Sequence, residues 1–185
     1  MDLVLHIANV SRSSVRGLGL GKHTRELPFR RLVEVQVIEE PRSAGGPLFA
    51  RRVCIVASLW LLREMEVAGV RCSHLTISNS GRRKSAILLL PVSKSDFTAV
   101  GVVRTLECSC VPHLGWTEGD PLCPICAAEK KQEFVLATFG DINDPPLFPS
   151  GLGEVVSKAC MVTTIHAIVE ELGLEVKAHN GAVQF

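Results

Sequence analysis

The sequence predicts an α+β fold that is mainly helical and carries a small antiparallel β-sheet and a cysteine-rich knob. Apolar residues recur at three- and four-residue spacing over residues 48–68, which is typical of a helix. Two strand-like runs, 71–79 and 84–92, flank a Ser-Gly-Arg-Arg turn and therefore predict a β-hairpin. Two close pairs of cysteines follow within residues 108–126. The helix, the sheet and the knob are expected in this order along the chain.

Each further element rests on a local signal. The helix at 48–68 is apolar nearly all round, so it should be largely buried. Ser157 is a suitable N-cap for a helix that runs to Leu172 and ends at Gly173. The other predicted elements are a third strand at 99–107, a helix at 127–139, a proline-rich loop at 141–153 and a short hairpin at 174–185.

The first 45 residues are predicted as an N-terminal extension without an assigned role, and residues 46–185 as the main domain. Within the extension, 3–10 and 32–38 are expected to be strands, because 32–38 alternates apolar and polar residues. The glycine pair inside 41–47 predicts a linker.

Composition restricts the class of protein. A chain of 185 residues with 46% hydrophobic and 21% charged residues is long and apolar enough to fold as a globular domain. The start of the chain lacks a basic secretory n-region, and the longest apolar run, 53–62, is too short to span a bilayer, so no membrane partner is expected. Seven cysteines, an odd number, favour a reducing intracellular compartment, the nucleus if the host is eukaryotic.

Charge is distributed unevenly. Up to Cys110 there are 16 Lys and Arg against 9 Asp and Glu, a balance of +7, whereas the rest of the chain has 4 against 10, a balance of −6. A basic portion that can meet phosphates is thus joined to an acidic one. The alternative is that both are ordinary solvated faces.

The cysteines follow the pattern Cys108-x-Cys110-x12-Cys123-x2-Cys126. Four thiolates complete a tetrahedral zinc site with no open position, so the pattern predicts a structural zinc ion bound in the 108–126 loop. The alternatives are free thiols in a reduced loop, or His113 in place of one cysteine.

Arg63 is predicted to lie on the apolar face of the first helix, where an unpaired charge would be costly. It must therefore meet a carboxylate, backbone carbonyls or a phosphate. Glu66, three residues further along, is close enough to hold it. The alternative is a pair with Glu66 or Glu64 that only orients the helix.

These features in this order resemble the catalytic domain of the tyrosine recombinases, in particular a divergent branch from algal mobile elements. The resemblance covers roughly residues 50–185 and rests on Arg63-x-x-Glu66, on the Lys94 turn after an apolar strand, and on the cysteine element. It implies that Arg63 contacts the scissile phosphate and that Lys94 is the general acid. The alternative for Lys94 is an ordinary turn lysine. It also implies that double-stranded DNA, and other recombinase protomers, are partners. The basic residues next to the hairpin turn, Arg82, Arg83 and Lys84, would contact backbone phosphates, or would simply be solvated.

The sequence departs from the family in the second half of the active site. It contains no tyrosine, none of its six histidines is followed by arginine at the third position, and no arginine follows Arg104. The resemblance therefore implies a chain truncated just before the His-x-x-Arg box and the tyrosine nucleophile, with Phe185 matching a residue that precedes the box. Without the nucleophile no covalent link to DNA can form, so this chain is expected to bind DNA at most.

Two alternatives stay open at this point. In the first, the chain is a zinc-stapled protein-interaction module with no role on DNA. In the second, another chain completes its active site in trans. Salt-dependent DNA binding separates the first alternative from the leading hypothesis, because phosphate contacts weaken steeply with salt.

Overall fold

The fold combines helices with one small sheet, as the sequence predicts. The computed structural model describes residues 29–80, 83–91, 101–108, 110, 120–140 and 142–174, with the side chains of Glu64, Ser80 and Arg83 excepted. These residues hold four α-helices and three strands: α1 Ala50–Leu59, α2 Glu64–Gly69, α3 Pro124–Phe139, α4 Lys158–Glu171, β1 Leu75–Ser80, β2 Arg83–Leu90 and β3 Val102–Glu107. Two 3-10 helices, Phe29–Val33 and Cys72–His74, complete the set. The α+β class is confirmed.

The sheet is antiparallel with the order β1-β2-β3. In its register Leu75 pairs with Leu88 and Leu89 pairs with Val103. Alternation along β2 directs Ala86, Leu88 and Leu90 into the core, where they are at most 1% exposed. The predicted hairpin and third strand are confirmed over Leu75–Ser80, Arg83–Leu90 and Val102–Glu107. The start of the first predicted strand is wrong, because Cys72–His74 form a 3-10 helix instead.

Helix α3 packs on β1 and β2 and also against α1, so it joins the sheet to the helical layer. The rings of Phe49, at the start of α1, and Phe134, on α3, meet edge to face at 4.8 Å. The largest fully buried side chains of the core include Trp60, Phe148, Ile55, Ile125, Leu147, Met161 and Ile168.

The predicted single helix over 48–68 is wrong, because the chain breaks between Leu59 and Glu64 into α1 and α2. The amide of Leu62 donates to the Ala57 carbonyl at 2.8 Å and that of Leu61 to Ser58 at 3.4 Å, the two bonds of a Schellman motif. Leu61 occupies the left-handed position with φ 53°, where glycine is usual, and its side chain is 78% exposed. The sequence has no glycine at this helix end. The apolar periodicity continues past Leu59, so it wrongly predicted one helix across the break.

The segment before α1 also differs from expectation. Residues 32–38 form no strand, since Leu32 ends up fully buried in a 3-10 helix that packs on α1. Residues 41–47, predicted as a linker, are held against α4: Arg42 forms an ion pair with Glu171, and Ser43 Oγ lies 2.9 Å from Thr164 Oγ1. The predicted strand at 3–10 lies outside the described residues.

The C-terminal part follows prediction more closely. Ser157 Oγ accepts a hydrogen bond from the Cys160 amide at 3.2 Å, which caps α4 as expected. Helix α4 ends before Gly173, whose φ is 64°. Residues 142–153 form a loop, which isolated bridges from Pro47 and Arg71 fasten to the core. The predicted hairpin at 174–185 lies outside the described residues apart from Leu174.

Candidate functional site

The four cysteines of the predicted knob form a tight cluster at the junction of β3 and α3. Their sulfur atoms all lie within 4.8 Å of one another. Individual Sγ separations are 3.5 Å for Cys108 and Cys123, 3.8 Å for Cys108 and Cys126, and 3.6 Å for Cys110 and Cys126. Four thiols brought together in this way can hold a metal ion.

The two halves of the cluster come from different elements. Cys108 immediately follows β3, and Cys110 lies two residues on. Cys123 is the N-cap residue of α3 and Cys126 lies in its first turn, so both sulfurs are near the positive end of the helix dipole. Pro124 at the start of α3 has a backbone conformation already suited to a first helical turn.

A short turn shapes the second half of the cluster. The Asp120 side chain accepts a hydrogen bond from the Leu122 amide at 2.8 Å, and its backbone carbonyl accepts one from the Cys123 amide at 2.9 Å. The Asp120 amide in turn donates to Cys110 Sγ at 3.1 Å. Such a donor favours the thiolate form that a metal requires.

The electrostatics of the cluster disfavour uncompensated thiolates. Burial raises the pKa of Cys108 to about 11, and burial together with the nearby Cys123 raises the pKa of Cys126 further. Four thiolates therefore cannot coexist here without a positive charge to balance them. A metal ion would supply this charge and would release protons as it bound.

Arg63 does not lie on the apolar face of a helix, and that prediction is wrong. It is the N-cap residue of α2, and its side chain is 53% exposed because the chain breaks just before it. The predicted partnership with Glu66 is present: the Arg63 amide donates to Glu66 Oε2 at 2.9 Å, and Nη1 lies 3.6 Å from Oε1. The Glu66 side chain is only 4% exposed, so a buried carboxylate orients a largely exposed guanidinium.

Arg104 is a second cation at the same carboxylate, and sequence reasoning missed it. Its Nη1 donates to the carbonyls of Trp60 and, at 2.8 Å, Leu61, and its Nη2 lies 3.9 Å from Glu66 Oε2. The alternation of β3 places Arg104 on the inward face, opposite to Val103 and Thr105, which was the available signal. Two guanidiniums therefore share the buried Glu66 carboxylate.

The structure describes only some of the remaining residues that were predicted to contact DNA. Lys84 forms an ion pair with Glu129 of α3 rather than standing as a solvated turn residue. Arg82 and Lys94 lie outside the described residues, as does His113, and Arg83 is described in its backbone alone, as the first residue of β2.

Among the described residues, no helix has the length and apolarity that a membrane crossing requires. Comparisons with models of protein families, with curated proteins and with solved structures gave no match.

Proposed function

We propose that this chain is a zinc-stabilised, double-stranded-DNA-binding domain of the tyrosine-recombinase lineage that does not cut DNA by itself. The four-cysteine cluster, which joins the sheet to α3, carries the metal-binding part of the proposal. The arginine pair at Glu66 supplies the phosphate-binding part.

Zinc is the metal that best fits the cluster. A tetrahedral ion with Zn–S bonds of about 2.3 Å needs sulfur atoms about 3.8 Å apart. Three of the six separations, 3.5, 3.6 and 3.8 Å, are close to that value, and all six are within 4.8 Å. Four cysteine ligands leave no position for a substrate or water, so the ion is structural. Its role is to fix the end of β3 against the start of α3.

Phosphate binding by Arg63 rests on exposure and orientation. The guanidinium is 53% exposed, and its anchor Glu66 is buried, so the donors are held in place while facing solvent. A planar fork of donors fits the oxygens of a phosphate. The uneven charge along the sequence, +7 up to Cys110, favours the same partner.

Cleavage of DNA is not proposed for this chain alone. The sequence contains no tyrosine, so the nucleophile that defines the recombinases is absent from it. Other protomers that carry a His-x-x-Arg box and a tyrosine are proposed partners for any strand exchange.

A protein-interaction module is the second candidate, and one observation favours it. The face of the sheet turned away from α3 exposes Ile87, Leu89 and Val103 at 40%, 38% and 61%. Exposed apolar side chains on neighbouring strands suit a protein surface better than a phosphate backbone.

The discriminating experiment is fluorescence anisotropy of a labelled DNA duplex titrated with the protein at several salt concentrations. We expect affinity to fall steeply between about 50 mM and 200 mM NaCl. The Arg63→Ala variant should bind more weakly and should lower the salt slope by about 1, as the loss of one phosphate contact does. Lys130→Ala, which removes an exposed charge from α3, is the matched control and should leave binding unchanged.

If the wild-type protein binds no duplex even at low salt, the DNA-binding proposal is wrong and the interaction module replaces it. Equal losses in Arg63→Ala and Lys130→Ala would indicate unspecific attraction rather than a site at Arg63.

A further inference from the structure

We propose that Lys84 is a positioning residue for the metal centre, which it holds by bridging the first cysteine pair to helix α3 through Glu129. The proposal rests on the metal centre proposed above and assigns to Lys84 a role different from DNA contact.

The backbone of Lys84 fixes one half of the cluster. Its carbonyl accepts a hydrogen bond from the Cys108 amide at 2.8 Å, which extends the β2–β3 ladder by one bond beyond the last strand pair, Ser85 and Glu107. The point at which the chain leaves β3 toward Cys110 is therefore set by β2.

The side chain of Lys84 fixes the other half. Its Nζ forms an ion pair with Glu129 of α3, which lies three residues after Cys126 and thus one turn further along the same helix. The two side chains are 30% and 21% exposed, so the pair is partly shielded from solvent. One residue thus contacts both elements that supply sulfur ligands.

The bridge also affects the charge balance at the metal centre. A divalent ion with four thiolates carries a net charge of −2, and Glu129 adds another negative charge nearby. The Lys84 ammonium, which is paired with Glu129, offsets part of this negative charge beside the cluster. Without Lys84, the Glu129 carboxylate would face the anionic cluster uncompensated.

The experiment is a Co(II) titration of the full chain in competition with a chelator of known affinity, followed by the thiolate-to-cobalt charge-transfer absorption. Residues that support metal ligands from outside typically contribute 10–100-fold in affinity. We therefore expect Lys84→Met to raise the Co(II) dissociation constant by about 10-fold or more. Lys84→Arg, which keeps the charge, should lose clearly less affinity than Lys84→Met.

Two further variants separate charge from folding. In Lys84→Met combined with Glu129→Gln, the like charge next to the cluster is gone, so part of the lost affinity should return. Lys130→Met removes an exposed lysine from the same helix and should bind Co(II) as wild type does.

The proposal fails if Lys84→Met binds Co(II) as tightly as wild type, or if Lys130→Met loses as much affinity. It also fails if Lys84→Arg is as weak as Lys84→Met, because charge would then not be the cause. A wild-type chain that binds no Co(II) would contradict the metal centre itself, an outcome distinct from equal affinities in wild type and variant.

Discussion

A fully buried lysine offers the sharpest test of the packing between α1 and α3. Lys131 is 0% exposed. Its Nζ donates to the Leu48 carbonyl at 3.1 Å and lies 5.1 Å and 5.5 Å from the ring centroids of Phe49 and Phe134. Burial, with a smaller contribution from the nearby Arg52 charge, lowers the pKa of Lys131 from 10.5 to about 7. Lys131→Met removes the charge and keeps most of the apolar volume.

The magnitude follows from this difference in pKa. If the unfolded chain has the ordinary pKa, keeping Lys131 in the folded core at pH 7 costs about 4 kcal/mol. Methionine removes that cost but leaves the Leu48 carbonyl without its donor, which costs about 1–3 kcal/mol. We expect Lys131→Met to raise the free energy of unfolding at pH 7 by about 1–3 kcal/mol, the difference between the two.

The pH dependence has a definite sign. Between pH 7 and 10.5 the unfolded chain binds more protons at Lys131 than the folded chain does, so stability rises with pH. This lysine alone should add about 2 kcal/mol between about pH 7 and 9 in the wild-type protein. The Lys131→Met variant lacks this contribution, so its stability should rise less.

The assay is urea unfolding followed by circular dichroism at both pH values, under reducing conditions and with metal present throughout. Lys130→Met is the control, since the neighbouring Lys130 is exposed on the same helix and its loss should change little. A Lys131→Met protein that is less stable than wild type at pH 7, or that keeps the full rise with pH, would refute the reasoning.

Two further predictions concern the helix junction and the metal centre. Leu61→Gly should raise the free energy of unfolding by up to about 1 kcal/mol, because it relieves the left-handed conformation and loses little burial. Ser58→Gly, in the last turn of α1, should lower it by about 0.5 kcal/mol, because glycine is a poorer helix former than serine. Equal effects of the two substitutions in urea unfolding would count against the Schellman assignment. Acidification should release metal as all four sulfurs gain protons. A colorimetric zinc indicator measures the released metal. Metal that stays bound at a pH well below the ordinary range of thiolate ligation would contradict ligation by Cys108 and the other three cysteines.

Local signals in the sequence predicted the elements whose structure is decided locally. The Ser157 cap, the hairpin around the basic turn and the spacing of the cysteines each depend on a few neighbouring residues, and each is present in the described structure. Cys108 and Cys126 could be expected to meet because both pairs fall within one short segment, 108–126, after the third predicted strand.

Features decided by tertiary contacts could not be predicted in the same way. The alternation of 32–38 suggested a strand, but burial of Leu32 against α1 was decisive. Leu61 occupies the left-handed position after α1, where a glycine would have indicated the helix end in the sequence. Arg104 at Glu66 and Glu129 at Lys84 are pairs that only the folded chain brings together, 38 and 45 residues apart.

The central claim is that a metal ion joins the sheet to α3, and metal analysis of the purified protein tests it most directly. Native mass spectrometry of protein prepared without chelator, combined with elemental analysis, would count zinc per chain. We predict one zinc ion per folded chain, with Cys108, Cys110, Cys123 and Cys126 protected from thiol-reactive reagents until a chelator is added. A folded chain that carries no metal and whose four thiols react at once would contradict the claim.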